Sequence, residues 1–312
     1  MKILGIDTSN YTTSLAVVSD GGYINERRIL DVAVGERGLR QSNALFLHTK
    51  NLPELFEKLG DIDKTDAIAV SDKPRDEDGS YMPCFLAGVA AASAAAKAAG
   101  APIYRFSHQA GHIMAAAMTS DEPSIIEKPL LCFHVSGGTT ELVYAIPDDD
   151  RGFAVKVIGG TLDISAGQLI DRTGVLIGLK FPCGNELEKL AQGGKSTKVK
   201  ISKKGAFCNY SGAENIVQKM LAQGFSQSDV ARFALDYCAE AIIASVRSAR
   251  EEFSDVPVLF AGGVMRNKII RAKILCEIKN AYFGSVELSS DNAVGVAWLG
   301  MKKHERIKNG AN

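Results

Sequence analysis

The chain has 312 residues, 46% hydrophobic and 23% charged, the balance of a globular protein large enough for two lobes. Lys+Arg and Asp+Glu stand at 36 each, so the net charge is zero; this excludes a uniformly basic nucleic-acid binder and confines any RNA contact to a local patch or a partner protein. No stretch reaches the roughly 18 apolar residues of a membrane span, and the short apolar run at the N-terminus is interrupted by Asp7, unlike a signal peptide.

In chain order, Lys2 to Asp7 reads as a strand leaving at the polar turn Thr8-Ser9-Asn10. Thr12 to Val18 is a second strand, Gly21-Gly22 a hairpin turn, and Tyr23 to Leu30 a third strand. Asn43 to Leu59 has helical apolar spacing, and Pro53 inside it is expected to kink or divide the helix. Ala67 to Val70 is a short buried strand, followed by a polar loop from Ser71 to Pro83. The Ala-rich stretch from Phe85 to Ala99 is expected to be a buried helix, and Ile103 to Phe106 is a strand running into His108.

After a linker around Thr119 to Lys128 the pattern starts again. Leu130 to Val135 is a strand, Ser136-Gly137-Gly138-Thr139-Thr140 a tight turn, and Glu141 to Ala145 a returning strand. Strand, hydroxyl-rich turn with Thr-Thr, strand thus occurs twice, about 130 residues apart, which points to two similar lobes rather than a solenoid. Helices follow over Ser165 to Ile177, Glu186 to Gln192 and Asp229 to Phe253. A strand from Pro257 to Ala261 ends at Gly262-Gly263, with a helix from about Arg266. Alternating strands and helices give an α/β class with ligands at strand ends. The expected division is a first lobe over 1–122, with a C-terminal helix over 291–312 packing back on it, and a second lobe over 123–290.

Several groups of residues can carry chemistry. Ser9 and Asn10 in the first turn, and Ser136 to Thr139 in the second, can aim hydroxyls and backbone N–H groups at phosphate oxygens. Gly262 and Gly263, followed by Asn267, permit close approach to a flat ligand such as adenosine, or plain strand–helix packing. His108 and His112, at i and i+4, share a helix face and can bind one metal, or coincide there by chance. Asp291 can complete a His-His-carboxylate set or cap the helix behind it. Asp171 can bind a ribose hydroxyl or sit in a surface salt bridge. Lys195, Lys198, Lys200, Lys203 and Lys204 form either a basic patch or a solvated loop. Gly193-Gly194-Lys195-Ser196 imitates the end of a P-loop, but Lys189 stands where that motif needs its first glycine and no strand precedes it. Six cysteines are scattered without a C-x-x-C pair, which argues against a zinc ribbon and for buried thiols in a reducing compartment.

Taken together, GIDTS, HTKNL, HQAGH, VSGGTTELV, TLDISAGQLID, GLKFPCGNELEKLA, NYSGAEN, AGGVMRN and DNAVGVAWLG resemble, in order from Met1 to about Gly300, the tRNA adenosine threonylcarbamoyltransferase family, also called the glycoprotease or O-sialoglycoprotein endopeptidase family. The resemblance implies a two-lobed actin-like ATPase fold with a duplicated core, the fold of sugar kinases, chaperone ATPases and actin. It implies one divalent metal, iron or zinc, on His108, His112 and Asp291. It implies an ATP or acyl-adenylate site lined by Gly137, Gly138, Gly167, Gln168, Asp171, Gly184, Gly262, Gly263 and Asn267, with Ser9, Asn10, Ser136 and Thr139 at the reactive centre. The implied activity is transfer of a threonylcarbamoyl group from its adenylate to an adenosine of tRNA. Implied partners are tRNA, a paralogous actin-like-fold protein and a small ATPase, in the cytoplasm and without a membrane. A protease is not expected, since no nucleophile–base pair or His-Glu zinc motif is visible.

The chain departs from the family pattern at several places. Asn10, Tyr11 and Thr12 replace Cys-Asp-Glu, and Gln41-Ser42 replaces Pro-Glu. The charged segment Lys73 to Gly79 replaces Ala-Gly-Pro-Gly. Thr139 replaces His, Gln168 replaces Glu, and Glu214 replaces Lys. These departures keep two alternatives open: a non-catalytic nucleotide-binding paralogue acting as a partner, and a carbamoyl or acyl transferase with a small-molecule acceptor.

Overall fold

The computed structural model describes residues 1–9, 11–31, 39–60, 62–196 and 198–310; Asn10 lies outside them. The elements are β1 (Lys2–Asp7), β2 (Thr12–Ser19), β3 (Gly22–Ile29), α1 (Gln41–Leu59), β4 (Ala67–Lys73), α2 (Phe85–Ala99), β5 (Ile103–Ser107), α3 (His108–Met118), β6 (Leu130–Val135), β7 (Thr140–Asp148), β8 (Gly152–Thr161), α4 (Ala166–Leu176), α5 (Gly184–Ala191), β9 (Lys203–Lys204), β10 (Phe207–Cys208), α6 (Ser211–Ala222), α7 (Gln227–Arg250), β11 (Val258–Ala261), α8 (Lys268–Glu277), β12 (Ala281–Phe283) and α9 (Val294–Gly310). Two compact units result, one of 1–119, 146–155 and 287–312, the other of 120–145 and 156–286.

The first sheet has the order β3-β2-β1-β4-β5. β1 pairs antiparallel with β2 and parallel with β4, in the register Ile3↔Ala67 to Ile6↔Val70. β1 is the central strand, which is why Ile3, Leu4 and Ile6 are all buried without alternation. Within this unit Leu4, Ile6, Leu15, Leu52, Leu55, Ile68 and Val70 form one apolar core with α2. The second sheet has the order β12-β11-β6-β7-β8-β10-β9. β6 pairs antiparallel with β7 and parallel with β11, so the strand plan of the first sheet recurs in the second. Its core centres on Phe133, Phe260, Leu235 and Ile242 from β6, β11 and α7.

Several local expectations are corrected. α1 runs unbroken over Gln41–Leu59 with Pro53 inside it; Leu52, Leu55 and Leu59 bury one continuous face, and this packing outweighs the lost backbone bond. β4 extends to Lys73, past the expected end at Val70, and a register shift between Ser71 and Lys73 leaves Asp72 as a bulge opposite the end of β5. α2 buries only Phe85, Ala87, Gly88, Ala92 and Ala96; alanine is a strong helix former that marks neither face, so the exposed side was invisible in the sequence. The segment read as a linker carries a short 3-10 helix, Pro123–Glu127, anchored by buried Ile125 and Ile126. Five of the six cysteines are buried and Cys276 is exposed.

Candidate metal centre and nucleotide-binding loops

The first unit brings His108, His112 and Asp291 together. Ser107 caps α3, its side chain accepting from the Ala110 N–H at 3.2 Å, and this starts the helix at His108. His112 follows one turn later, and the two rings lie edge to face at 4.3 Å between centroids. Asp291 arrives from the loop before α9. Its Oδ1 is 3.5 Å from His108 Nε2 and 3.3 Å from His112 Nε2. One ligand atom from each of the three lies within 4.8 Å of the others.

Glycines set this meeting. α3 and α9 cross where Gly111 lies between the two histidines: a Cβ on Gly295 would stand 1.9 Å from the Gly111 carbonyl oxygen, and one on Gly111 would stand 2.8 Å from Val296. Gly5 of β1 gives the same clearance to the Ala293 carbonyl, where a Cβ would lie at 2.4 Å. The backbones therefore approach closely, and the loop before α9 is drawn over the histidines. Asn292, not Asp291, caps that helix: its Oδ1 accepts from the N–H groups of Val294 at 3.1 Å and Gly295 at 3.2 Å. Its amide donates to the carbonyls of Leu288 and Ser290. Ser14 Oγ accepts from the Ala293 N–H at 2.9 Å, and Arg27 donates to Ser290. The capping alternative for Asp291 thus falls to its neighbour, and the Asp291 carboxylate is left for the histidines.

Asp7 is the residue that sequence reasoning missed. It is fully buried at the end of β1, with Oδ2 2.8 Å from His108 Nδ1. It also accepts from Ser71 Oγ and, at 2.9 Å, from the Ser9 N–H. A carboxylate at Nδ1 fixes the ring and turns Nε2 toward Asp291 and His112, the arrangement that orients metal-ligating histidines. Burial disfavours the imidazolium of His108, but the charge of Asp7 and the hydrogen bonds that the ring donates to Asp291 and Asp7 outweigh it and push its pKa up to about 10. Burial likewise opposes the charge on Asp291 and on Asp7, yet their histidine partners hold both carboxyls below the usual range. Two imidazoles and one carboxylate are a donor set that suits a first-row divalent ion such as iron or zinc. Ser9, beside Asp7, is buried, and its Oγ has no partner among the described residues.

The second unit holds the other sequence-predicted residues. Gly137, Gly167 and Gly262 converge at the end of β6. A Cβ on Gly167 would lie 2.4 Å from the Ser136 carbonyl and 2.5 Å from Gly137 Cα. One on Gly262, whose φ is +98°, would lie 2.3 Å from the Val135 carbonyl. These two glycines serve backbone packing, whereas Gly137, Gly138, Gly184 and Gly263 have open space where a Cβ would be. Ser136 Oγ accepts from the Thr139 N–H at 3.0 Å and so shapes the second turn. Gln168 closes a capping box with Ser165, a task that Glu performs equally well. Ser165 Oγ in turn donates to the Gly137 carbonyl at 2.7 Å, tying the start of α4 to the turn. Asp171 accepts from the Cys183 N–H at 2.8 Å, beside the start of α5, while the surface ion pair belongs to its neighbour, Arg172 with Glu214 at 2.9 Å. Asn267 caps α8, accepting from the N–H groups of Ile269 and Ile270.

These features sit on a chain with clear relatives. The family described as TsaD, tRNA N6-adenosine threonylcarbamoyltransferase, matches residues 42–298. The tRNA N6-adenosine threonylcarbamoyltransferase of Persephonella marina is 30% identical over 325 residues, 97% of this chain and 90% of the relative. That of Thermosipho africanus is 27% identical over 98% of this chain and 95% of the relative. Among solved structures, phosphate- and nucleotide-bound HypF aligns with a TM-score of 0.60 at 15% identity, over 98% of this chain and 46% of HypF. Component A of the Acidaminococcus fermentans (R)-2-hydroxyglutaryl-CoA dehydratase aligns at 0.55 and 14% identity, over 98% and 99%. Structural likeness at that identity shows the fold alone, which is actin-like ATPase. With the family match spanning most of its length, the chain belongs to the tRNA N6-adenosine threonylcarbamoyltransferase family.

Proposed function

We propose that the chain transfers a threonylcarbamoyl group from its adenylate to an adenosine of tRNA, in the cytoplasm, with His108, His112 and Asp291 as the ligands of one iron or zinc ion. The observation that carries this reading is the buried Asp7–His108 pair behind a three-donor group, in a chain of this family. A bound divalent ion supplies Lewis-acid polarisation of a phosphoryl or carbonyl oxygen. Asp7 holds His108 in the tautomer that presents Nε2. The hydroxyl of Ser9, without a partner among the described residues, is assigned to the substrate side of the first turn; Asn10, the other residue proposed for the reactive centre, lies outside the described residues. Ser136, Gly137, Gly138 and Thr139 offer donors to the phosphate of ATP or the acyl adenylate, at the end of a parallel strand pair where such ligands bind. Gly167, Gln168 and Asp171 act through the shape of that loop, and Gly184, Gly262, Gly263 and Asn267 frame the adenosine. The partners are tRNA, a paralogous actin-like-fold protein and a small ATPase.

A second reading, a non-catalytic nucleotide-binding partner, draws on the first turn. Where the family carries acids, Thr12 is buried in β2 and the Tyr11 carbonyl accepts from the Leu30 N–H at 2.7 Å, so both positions are built into the sheet. Quantifying modified adenosine in tRNA from cells whose only family member is this chain separates the two. The transferase reading expects modification, and its loss in the His112→Ala variant. Modification untouched by that substitution removes the metal from the mechanism, and none in wild type favours the partner reading.

A further inference from the structure

We propose that the lysine-rich segment before and within β9 is a docking surface for the phosphate backbone of the tRNA, a proposal that rests on the transferase reading and places its polymer substrate on the second unit. From Lys198 to Ser202 side chains alternate: Val199 and Ile201 pack against the core of the unit, while Lys198, Lys200 and Ser202 are exposed. This alternation is that of an extended chain laid on a surface. Lys203 and Lys204 continue the row on the edge strand β9, both exposed. Lys203 donates to Ser248 of α7. None of Lys198, Lys200, Lys203 and Lys204 has a carboxylate partner within ion-pair distance among the described residues, whereas Lys189, Lys273, Lys303 and Lys308 each have one. The segment 195–204 contains no acidic residue; Asp229 accepts from the Lys195 N–H at 2.8 Å, and Glu252 lines the same groove as Lys204. In a chain of zero net charge, a run of unpaired cations on one exposed edge concentrates positive potential locally.

The row borders a groove of about 520 Å³ lined by Ile158, Leu162, Lys204, Phe207, Phe253 and Glu252, among others. Leu162 is 50% exposed there, and the Phe253 ring is braced by Tyr144 at 4.2 Å. Cations along a backbone path beside an apolar wall that accepts an unstacked base are the two elements of RNA recognition. A nucleic acid carries both the phosphates that match the lysine row and the flat bases that match the groove, so it is the occupant assigned here.

The test compares wild type with a variant in which Lys198, Lys200, Lys203 and Lys204 are all replaced by Gln, and with the matching Lys→Arg variant. The probe is an unmodified tRNA transcript, titrated over a range of salt with the full chain and its pathway proteins. Four lost phosphate contacts lower the slope of log Kd on log salt by about 3. The expected result is that reduced slope, a KM for tRNA raised by about tenfold or more, an unchanged kcat, and wild-type behaviour in the Arg variant. A Gln variant matching a tRNA-binding wild type in slope and KM overturns the docking surface and leaves the transferase reading standing. A wild type that binds no tRNA overturns both. Undiminished tRNA binding by the Gln variant, with loss of an acidic pathway protein, assigns the lysines to that protein and likewise overturns the proposal.

Discussion

Asp7 meets Ser71, the Ser9 amide and His108 in a site without exposure, so its charge is fixed by those contacts alone. Asp7→Asn keeps the volume and removes the charge that orients His108. We expect metal affinity to fall about 10- to 100-fold with all three ligands intact, measured by competition against a chelator. Affinity equal to wild type removes Asp7 from the centre. The His108 pair also predicts a pH dependence. Its folded pKa is raised from 6.5 to about 10, so the imidazolium stabilises the metal-stripped fold fully below pH 6.5 and that contribution is lost as pH rises toward 10. In melts of metal-stripped protein, the advantage of wild type over His108→Gln is therefore expected to shrink from pH 6.5 to 9. An advantage that grows over this window contradicts the assignment. The i, i+4 spacing of the histidines was legible in the sequence because it is local. Asp7 was not, because an Asp closing a strand reads as the start of a turn and only strand order shows that β5 delivers His108 to it.

Among the elements, the crossing of α3 and α9 brings the His108, His112 and Asp291 donors together. Gly295→Ala places a methyl 1.9 Å from a backbone oxygen that side-chain motion cannot relieve. We expect a loss of about 3 kcal/mol or more, seen in denaturant unfolding, together with loss of bound metal. Gly138→Ala is the contrast: open space surrounds its Cβ position, so stability stays within about 0.5 kcal/mol while nucleotide affinity falls. Equal effects of the two substitutions on stability contradict this division of the glycines into packing and binding. Elements with a distinctive local composition, such as the apolar strands β1 and β6, the Ala-rich α2 and the long α7, were legible. β8 was not, because its Gly159-Gly160 pair imitates a turn; in the sheet, Gly160 adopts φ +136° with the Thr140 carbonyl 2.3 Å from a would-be Cβ. α6 has only Ala213, Val217 and Met220 buried and no side-chain cap, so its signal was too sparse to find.

At the scale of the whole molecule, the repeated turn in the sequence corresponds to a repeated strand plan, and the actin-like fold follows from it. What the sequence carried least was the use of its departures. Gln168 retains a cap that Glu also makes, and Asn267, a residue of the family motif, is a helix cap, so these letters already have a structural task. Among the described residues no helix is long and apolar enough to cross a membrane. The most direct test of metal-dependent transfer is to strip the purified chain of metal, reload it with iron or zinc in steps, and count threonylcarbamoylated adenosines formed on tRNA with the adenylate supplied. We predict no product from the stripped chain, product rising in proportion to metal up to one ion per chain, and none at any loading for His108→Ala. Full transfer by the stripped chain, or by His108→Ala, would contradict the assignment of this centre.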